Sequence, residues 1–292
     1  VFATAALAVS LAVGGVLPAW EAVALIPPFL ALAAVGWIDD RGGVSPRVRL
    51  LVHLSASAWF LAWCFARASW AAGLALATPG GVLASVILTL ALGWAINLYN
   101  FMDGIDGLAG AQGLFLGLGG ALLLVVQGGD AEALVMLAVA GACAGFLVWN
   151  WAPARIFMGD VGSGALGFLL AAVPLTAVDD VRTDVWPWLI LWGSFVADAS
   201  VTLVRRALRG VALHEAHRTH AYQRLARRWH SHRAVSLSYS AVNLVWLGPI
   251  AVLAAARPAT GPIAALVALC PLVLGMSLLG AGRAEFRETE AS

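Results

Sequence analysis

Runs of about 20 mostly apolar residues follow one another along almost the whole chain, and that is the length a helix needs to cross a bilayer. Candidate spans fall at about 1–18, 22–38, 50–66, 80–98, 108–126, 132–149, 161–178, 186–204, 236–256 and 261–280. Of the 292 residues, 61% are hydrophobic and 11% charged, where soluble domains carry roughly 25% charged residues. The expected fold class is therefore all-α: a polytopic integral membrane protein of about ten transmembrane helices. A single domain over 1–292 is expected, because no stretch is polar enough for a separate soluble one. Pro27-Pro28 predicts a kink in the second span, since proline removes a donor and crowds the preceding turn.

The loops fall into two alternating sets. One comprises about 39–49, 99–107, 150–160, 205–235 and the tail from 281, and holds 14 of the 17 basic residues; the other holds only Arg67, Arg182 and Arg257. Excess basic charge marks cytoplasmic loops, so the first set is expected in the cytoplasm. All the basic residues are arginine, which excludes a lysine nucleophile, a Schiff base and a P-loop lysine. Cys64, Cys143 and Cys270 lie singly in apolar runs and read as packing residues. The chain opens on Val1 and apolar residues without a basic stretch, so no signal peptide is expected.

Three polar motifs interrupt the apolar sequence, each where a span meets an Arg-rich loop. They are Ile38-Asp-Asp-Arg41, Asn97-Leu-Tyr-Asn-Phe-Met-Asp-Gly-Ile-Asp-Gly107 and Asn150-Trp-Ala-Pro-Ala-Arg-Ile-Phe-Met-Gly-Asp160. Five of the 16 acidic residues lie in them. Ionisable groups beside a bilayer are costly unless they face water, an ion or a partner. Asp39 and Asp40 point about 100° apart on a helix, so one is expected to face a site and the other to support it. Asn97, Asn100, Asp103 and Asp106 recur every three residues, so neighbours share a helix face. Oxygen ligands of this kind suit Mg²⁺, which binds a few protein groups plus substrate phosphates. Asp160 opens the seventh span, among glycines that would admit a phosphate to backbone N–H groups, or serves there as a helix N-cap. His214, His217 and His220 sit in the 205–235 loop with Arg218 and Arg224. Zinc is a weak reading of that spacing, and hydrogen-bonding or cationic contacts to a pyrophosphate or sugar fit better. No G-x-S-x-G is present, so a serine hydrolase is excluded.

The motifs resemble those of the polyprenyl-phosphate N-acetylhexosamine-1-phosphate transferases. The resemblance rests on Asp39-Asp40 with Ser45-Pro-Arg-Val-Arg49, on 97–109, on 150–163 and on His217-Arg-Thr-His-Ala-Tyr-Gln-Arg-Leu225, in that order and over about residues 1–235. It implies transfer of a sugar 1-phosphate from a UDP-N-acetylhexosamine to undecaprenyl phosphate, with release of UMP and with Mg²⁺ as cofactor (Mn²⁺ substituting). It implies Asp39 as the acid that deprotonates, attacks or positions the lipid phosphate, supported by Asp40. Asp160 and Asn100 become metal ligands, and Asp103 orients the metal's waters or the phosphates. Asp106, Asn150 and Phe157 hold the uracil; His217, Arg218, His220 and Arg224 meet the pyrophosphate and sugar; Arg49 binds the lipid phosphate. The site is then expected at the cytoplasmic face of a bacterial inner membrane, in cell-wall or lipopolysaccharide biosynthesis. Its partners are the two substrates and the bilayer, with a homodimer left open and nucleic acid excluded. The family has eleven spans, so a further N-terminal span is expected ahead of this sequence. His53 departs from the glutamine many members carry. The His-Arg-x-His form resembles the O-antigen and common-antigen branch, which favours a GlcNAc-type or deoxy-HexNAc sugar over the MurNAc pentapeptide. Two other readings fit less well. A transporter would place charges near the midplane in repeated halves, and an intramembrane prenyltransferase would carry paired Asp-x-x-x-Asp motifs.

Overall fold

A computed structural model describes residues 14–66, 79–177, 185–211 and 217–284. Every regular element in it is helical. The order is α1 Ala19–Gly42, α2 Pro46–Phe65, α3 Pro79–Met102, α4 Leu108–Gln127, α5 Asp130–Asn150, α6 Gly159–Thr176, α7 Val185–Leu191, α8 Gly193–Leu208, α9 Ala221–Trp229, α10 His232–Val242, α11 Gly248–Ala256 and α12 Gly261–Leu278. A π-helical turn, Asn243–Leu247, joins α10 to α11 into one long rod. Among the described residues eight helices are long and apolar enough to cross a membrane, or nine if α7 and α8, bent by 76°, form one span. The chain is thus a multi-pass membrane protein. The first expected span lies outside the described residues except for 14–18, which form a turn.

Two local details explain how the helices survive unfavourable residues. α1 runs on across Pro27 and Pro28 as one helix. Pro27 has no N–H for the Val23 carbonyl, and the Trp59 indole of α2 donates to that oxygen instead, at 3.0 Å. A freed carbonyl in lipid is thereby satisfied by a neighbouring helix. The expected span at 186–204 is broken at Trp192. Here Gln112 of α4 reaches across: its Nε2 donates to the Leu191 carbonyl at 3.4 Å, while its Oε1 accepts from Asn243 at 2.6 Å and from Ser194 at 3.3 Å. One buried amide therefore ties α4, the α7–α8 bend and the π-helical turn together, where water is not available as an alternative partner.

The remaining helices pack through the apolar side chains and small residues that the sequence offers, with Phe60, Phe168, Tyr99 and Phe195 fully buried between them. Ser45 begins α2, its hydroxyl accepting from Val48, and Ser231 begins α10 in the same way, from Ala234. The expected loop at 205–235 is not simply a connection: it contains α9, and His220 and Thr219 within it are buried. Contacts between the ends of α1, α3, α5 and α6 gather the three polar motifs at one end of the bundle, the end that also holds the His217–His220 segment.

Gln112→Leu leaves Asn243, Ser194 and the Leu191 carbonyl without their partner, so it is expected to cost about 1–3 kcal/mol. The double variant Gln112→Leu, Asn243→Leu removes both amides and is expected to be the more stable of the two. Thermal unfolding in detergent checks the order, and a single variant as stable as the parent would refute it.

Candidate active site

Helices α1 and α6 touch at Gly36, where any side chain would overlap the backbone of Asp160 and Val161. This close approach lays the last turns of α1 against the first turn of α6. Asp40 exploits it: Oδ1 accepts from the Asp160 N–H at 2.9 Å and Oδ2 from the Val161 N–H at 3.2 Å. The carboxylate satisfies N–H groups that have no partner within their own helix and complements the positive end of the helix dipole. Asp39 points elsewhere. Its Oδ1 accepts from the Val44 N–H and its Oδ2 from Arg49 Nη1 at 2.6 Å. The same Arg49 nitrogen donates to Asp160 Oδ2 at 3.0 Å. The other Asp160 oxygen accepts from Asn100 Nδ2 at 2.8 Å, and that amide also reaches the Ser163 hydroxyl at 2.9 Å. Asp39, Arg49, Asp160 and Asn100, drawn from four helices, thus form one continuous chain of contacts.

Asp103 lies just beyond the end of α3. Burial, and then the charges of Asp160 and Asp40, push its carboxyl up to about 7, since both a low dielectric and like charges disfavour the ionised form. Asn97 is turned back on its own helix, donating to the Gly93 carbonyl at 2.7 Å.

A second cluster stitches the loop after α3 to the loop after α5. Asn150, 3% exposed, accepts from the Gly107 N–H at 3.0 Å and donates to the Ile156 carbonyl at 2.8 Å. Asp106 accepts from the Ala154 N–H at 3.1 Å, and its other oxygen is 3.2 Å from His232 Nδ1. Phe157 stands beside them with 76% of its surface exposed, at the rim of an apolar recess that includes Phe29 and Met158.

The third cluster is the segment before α9. The rings of His217 and His220 stack with centroids 5.0 Å apart, and His220 stacks in turn on Tyr222. Thr219 Oγ1 is 3.1 Å from His217 Nδ1. Burial, then the neighbouring His220 and Arg206, depress His217 to about 4, so the ring is neutral at physiological pH and offers hydrogen bonds rather than charge. Arg224 faces the chain's own tail, donating to the carbonyls of Arg283 and Ala284 at 2.6 and 3.3 Å. The Arg218 carbonyl accepts from Arg227 at 2.9 Å. His214 lies outside the described residues.

Sequence reasoning missed Asp198. It is fully buried in α8 and accepts from the Ala221 and Tyr222 N–H groups at 2.8 and 2.9 Å, from the Tyr239 hydroxyl at 2.7 Å and from Thr202 at 3.3 Å, with His220 Nδ1 at 3.5 Å. It is a helix cap supplied from another helix, and it fixes where α9 begins. Tyr222 then reaches the Phe101 carbonyl at 2.9 Å, tying α9 to the end of α3. The available signal was one acid in the middle of an otherwise uncharged run.

Between α2, α3 and this segment runs a groove of about 630 Å³. One wall is apolar, with Leu50, Leu54, Leu90 and Trp94; the other end carries Arg49, Asn100, His217 and His220. Among the described residues no three His, Cys, Asp or Glu side chains could by themselves hold a metal ion. Asp160, Asn100 and Asp103 carry oxygens of the kind a hard cation takes together with water and phosphate, although in the structure one Asp160 oxygen accepts from Arg49 and the other from the Asn100 Nδ2.

A model of the family described as Glycosyl transferase family 4 matches residues 22–178. The chain is 32% identical over 250 residues to the decaprenyl-phosphate N-acetylglucosaminephosphotransferase of Mycobacterium tuberculosis, covering 75% of this chain and 59% of that protein. To the enzyme of the same name in Mycolicibacterium smegmatis it is 34% identical over 251 residues, with the same coverage. To a phospho-N-acetylmuramoyl-pentapeptide-transferase of Picosynechococcus sp. it is 36% identical over 194 residues, covering 61% of this chain and 51% of that protein. The chain thus spans about half to three-fifths of the length of these relatives.

His217 yields a pH prediction. Its folded value of about 4 lies below its ordinary 6.5, so between these the unfolded state binds more protons, and stability is lost as pH falls through that window. His217→Gln is expected to flatten the thermal-stability profile between pH 6.5 and 4; an unchanged slope would show that the ring is not the group responsible.

Proposed function

The chain belongs to glycosyl transferase family 4, and from that premise we propose that it transfers an N-acetylhexosamine 1-phosphate from a UDP-sugar to a polyprenyl phosphate, releasing UMP. The observation that carries the reading is the groove, whose lining combines the apolar Leu50, Leu54, Leu90 and Trp94 with Arg49 and Asn100. An isoprenoid phosphate has the same polarity pattern. Its tail lies along Leu50, Leu54, Leu90 and Trp94, and its headgroup meets Arg49, whose planar fork suits phosphate oxygens. Asp39, bonded to Arg49, aims that guanidinium and so positions the acceptor.

The donor approaches from the side of Asp106, Asn150 and Phe157. Asn150 and Asp106 shape the loops by backbone bonds, and the exposed Phe157 ring is free to stack on uracil. His217, as a neutral ring, and His220 beside it donate to the pyrophosphate or sugar. Asp160 and Asn100 would hold Mg²⁺, or Mn²⁺ in its place, with Asp103 bonded to its waters; when bound, the ion supplies charge neutralisation on the transferring phosphate. An acceptor-phosphate oxygen forms the bond to the β-phosphorus as the bridging oxygen leaves with UMP. Asp40 takes no part in bond making: it holds the first turn of α6 so that Asp160 faces the reaction. The longer matches to the N-acetylglucosaminephosphotransferases support a GlcNAc-type sugar. The excess of arginine in the loops at this end supports a site at the cytoplasmic face of a bacterial inner membrane.

The test is UMP release by full-length protein in detergent, from a panel of UDP-N-acetylhexosamines with polyprenyl phosphate and Mg²⁺. Lipid- and metal-dependent release is expected, and its absence across the panel in monodisperse protein would overturn the reading. Asp160→Asn is expected to abolish transfer while leaving the elution profile and melting temperature near those of the parent; near-normal turnover would remove Asp160 from the site. Phe157→Ala is expected to raise KM for the UDP-sugar by about tenfold, in line with the ~1–3 kcal/mol that stacking on a base contributes, and to leave KM for the lipid unchanged. Equal effects on both would argue against uracil stacking.

A further inference from the structure

The residues after α12 do not simply leave the bundle. Gly280 and Gly282 both have positive φ, at 80° and 72°, and they turn the chain back against the end of α8 and against α9. Its carbonyls are then gripped by arginines from those elements. Arg205 Nη1 donates to the Ser277 and Ala281 carbonyls, each at 3.0 Å. Arg209 Nη1 donates to the Gly282 carbonyl at 2.8 Å. Arg224 takes the Arg283 and Ala284 carbonyls, as described above. Ala281 is fully buried in the turn, and a Cβ on Gly282 would overlap the Thr202 carbonyl, so the segment is seated against α8 as closely as a backbone allows. Charge-assisted bonds of this kind are roughly twice as strong as neutral ones, and here five of them hold eight residues of backbone.

One further bond gives this strap a role. The Gly282 N–H donates to the Thr219 carbonyl at 2.9 Å. Thr219 in turn places its hydroxyl 3.1 Å from His217 Nδ1, and His217 lines the groove. On a neutral imidazole, the partner of one ring nitrogen decides which tautomer and ring orientation the other nitrogen presents. Resting on the transferase reading above, we propose that the 279–284 strap is a positioning element for the donor site: Gly282 fixes Thr219, and Thr219 fixes His217. Arg205 and Arg209 act through the strap and touch no substrate. The arginines of the 205–235 stretch thus divide by task, and Arg205, Arg209 and Arg224 serve the fold of the site rather than its phosphates.

The test compares Gly282→Ala, Arg205→Ala, Arg205→Lys and Thr219→Val with the parent, in full-length protein. Hydrogen–deuterium exchange over 217–223 is read alongside KM and kcat for both substrates. Gly282→Ala and Arg205→Ala are expected to speed exchange of 217–223 and to lower kcat/KM for the UDP-sugar about tenfold or more, since small misplacements of a substrate-contacting group are costly. KM for the lipid should change less than about twofold. Arg205→Lys, which keeps a donor for the two carbonyls, is expected to recover most of the loss. Thr219→Val should reproduce the kinetic defect without altering the strap, and it decides the matter should Gly282→Ala fail to fold. Unchanged exchange in both strap variants would overturn the proposal, as would faster exchange with donor kinetics intact. If the parent releases no UMP, the transferase reading fails, and the exchange arm still decides whether the strap holds the segment.

Discussion

The second and third N–H groups of α6, those of Asp160 and Val161, are held by a carboxylate that belongs to α1. The Asp39–Arg49–Asp160–Asn100 chain of contacts depends on this bond pair. A helix start in a membrane protein needs acceptors for its free N–H groups, and Asp40 supplies them from a distance of 120 residues in sequence. Because that carboxylate is committed to the backbone, its neighbour Asp39 is left for Arg49. Because the α6 start is pinned, the Asp160 side chain meets Arg49 on one oxygen and Asn100 on the other. Gly36 is the steric condition for the whole arrangement, since a methyl group there would push α1 off α6.

A good part of this was legible in the sequence. Apolar runs of spanning length gave the helices to within a few residues, because lipid leaves the backbone few alternatives. The division of labour between Asp39 and Asp40 followed from the 100° step between adjacent helical residues. The three motifs stood out because a carboxylate or amide in so apolar a chain needs a partner. The resemblance to a known family, now established over 22–178, supplied chemistry that spacing alone did not.

What was not legible depends on contacts between distant segments. Asp198 looks in sequence like an isolated polar residue, yet its donors come from residues 221, 222 and 239. Gln112 is likewise unremarkable beside its neighbours, and its importance comes from the broken span that it bridges. The break at Trp192 and the π-helical turn at Asn243 leave no periodic signature, because hydropathy continues across both. The resemblance implied Arg224 at the pyrophosphate and sugar; in the structure its guanidinium donates to main-chain carbonyls of the tail, a contact between distant segments that no local pattern announces. Basic charge in a sequence does not by itself distinguish an arginine that meets a ligand from one that ties down a loop.

The groove beside α2 and α3 is lined in part by the apolar Leu50, Leu54, Leu90 and Trp94. Its volume is that of a few isoprene units, so on the transferase reading most of a long acceptor tail stays in the bilayer. Such a protein meets its acceptor by lateral diffusion in two dimensions, and the relevant concentration is molecules per unit area of membrane. Saturation in detergent would then follow the lipid's mole fraction in the micelle rather than its bulk molarity. Tail length beyond the groove would affect how the acceptor partitions and moves much more than how its headgroup is recognised.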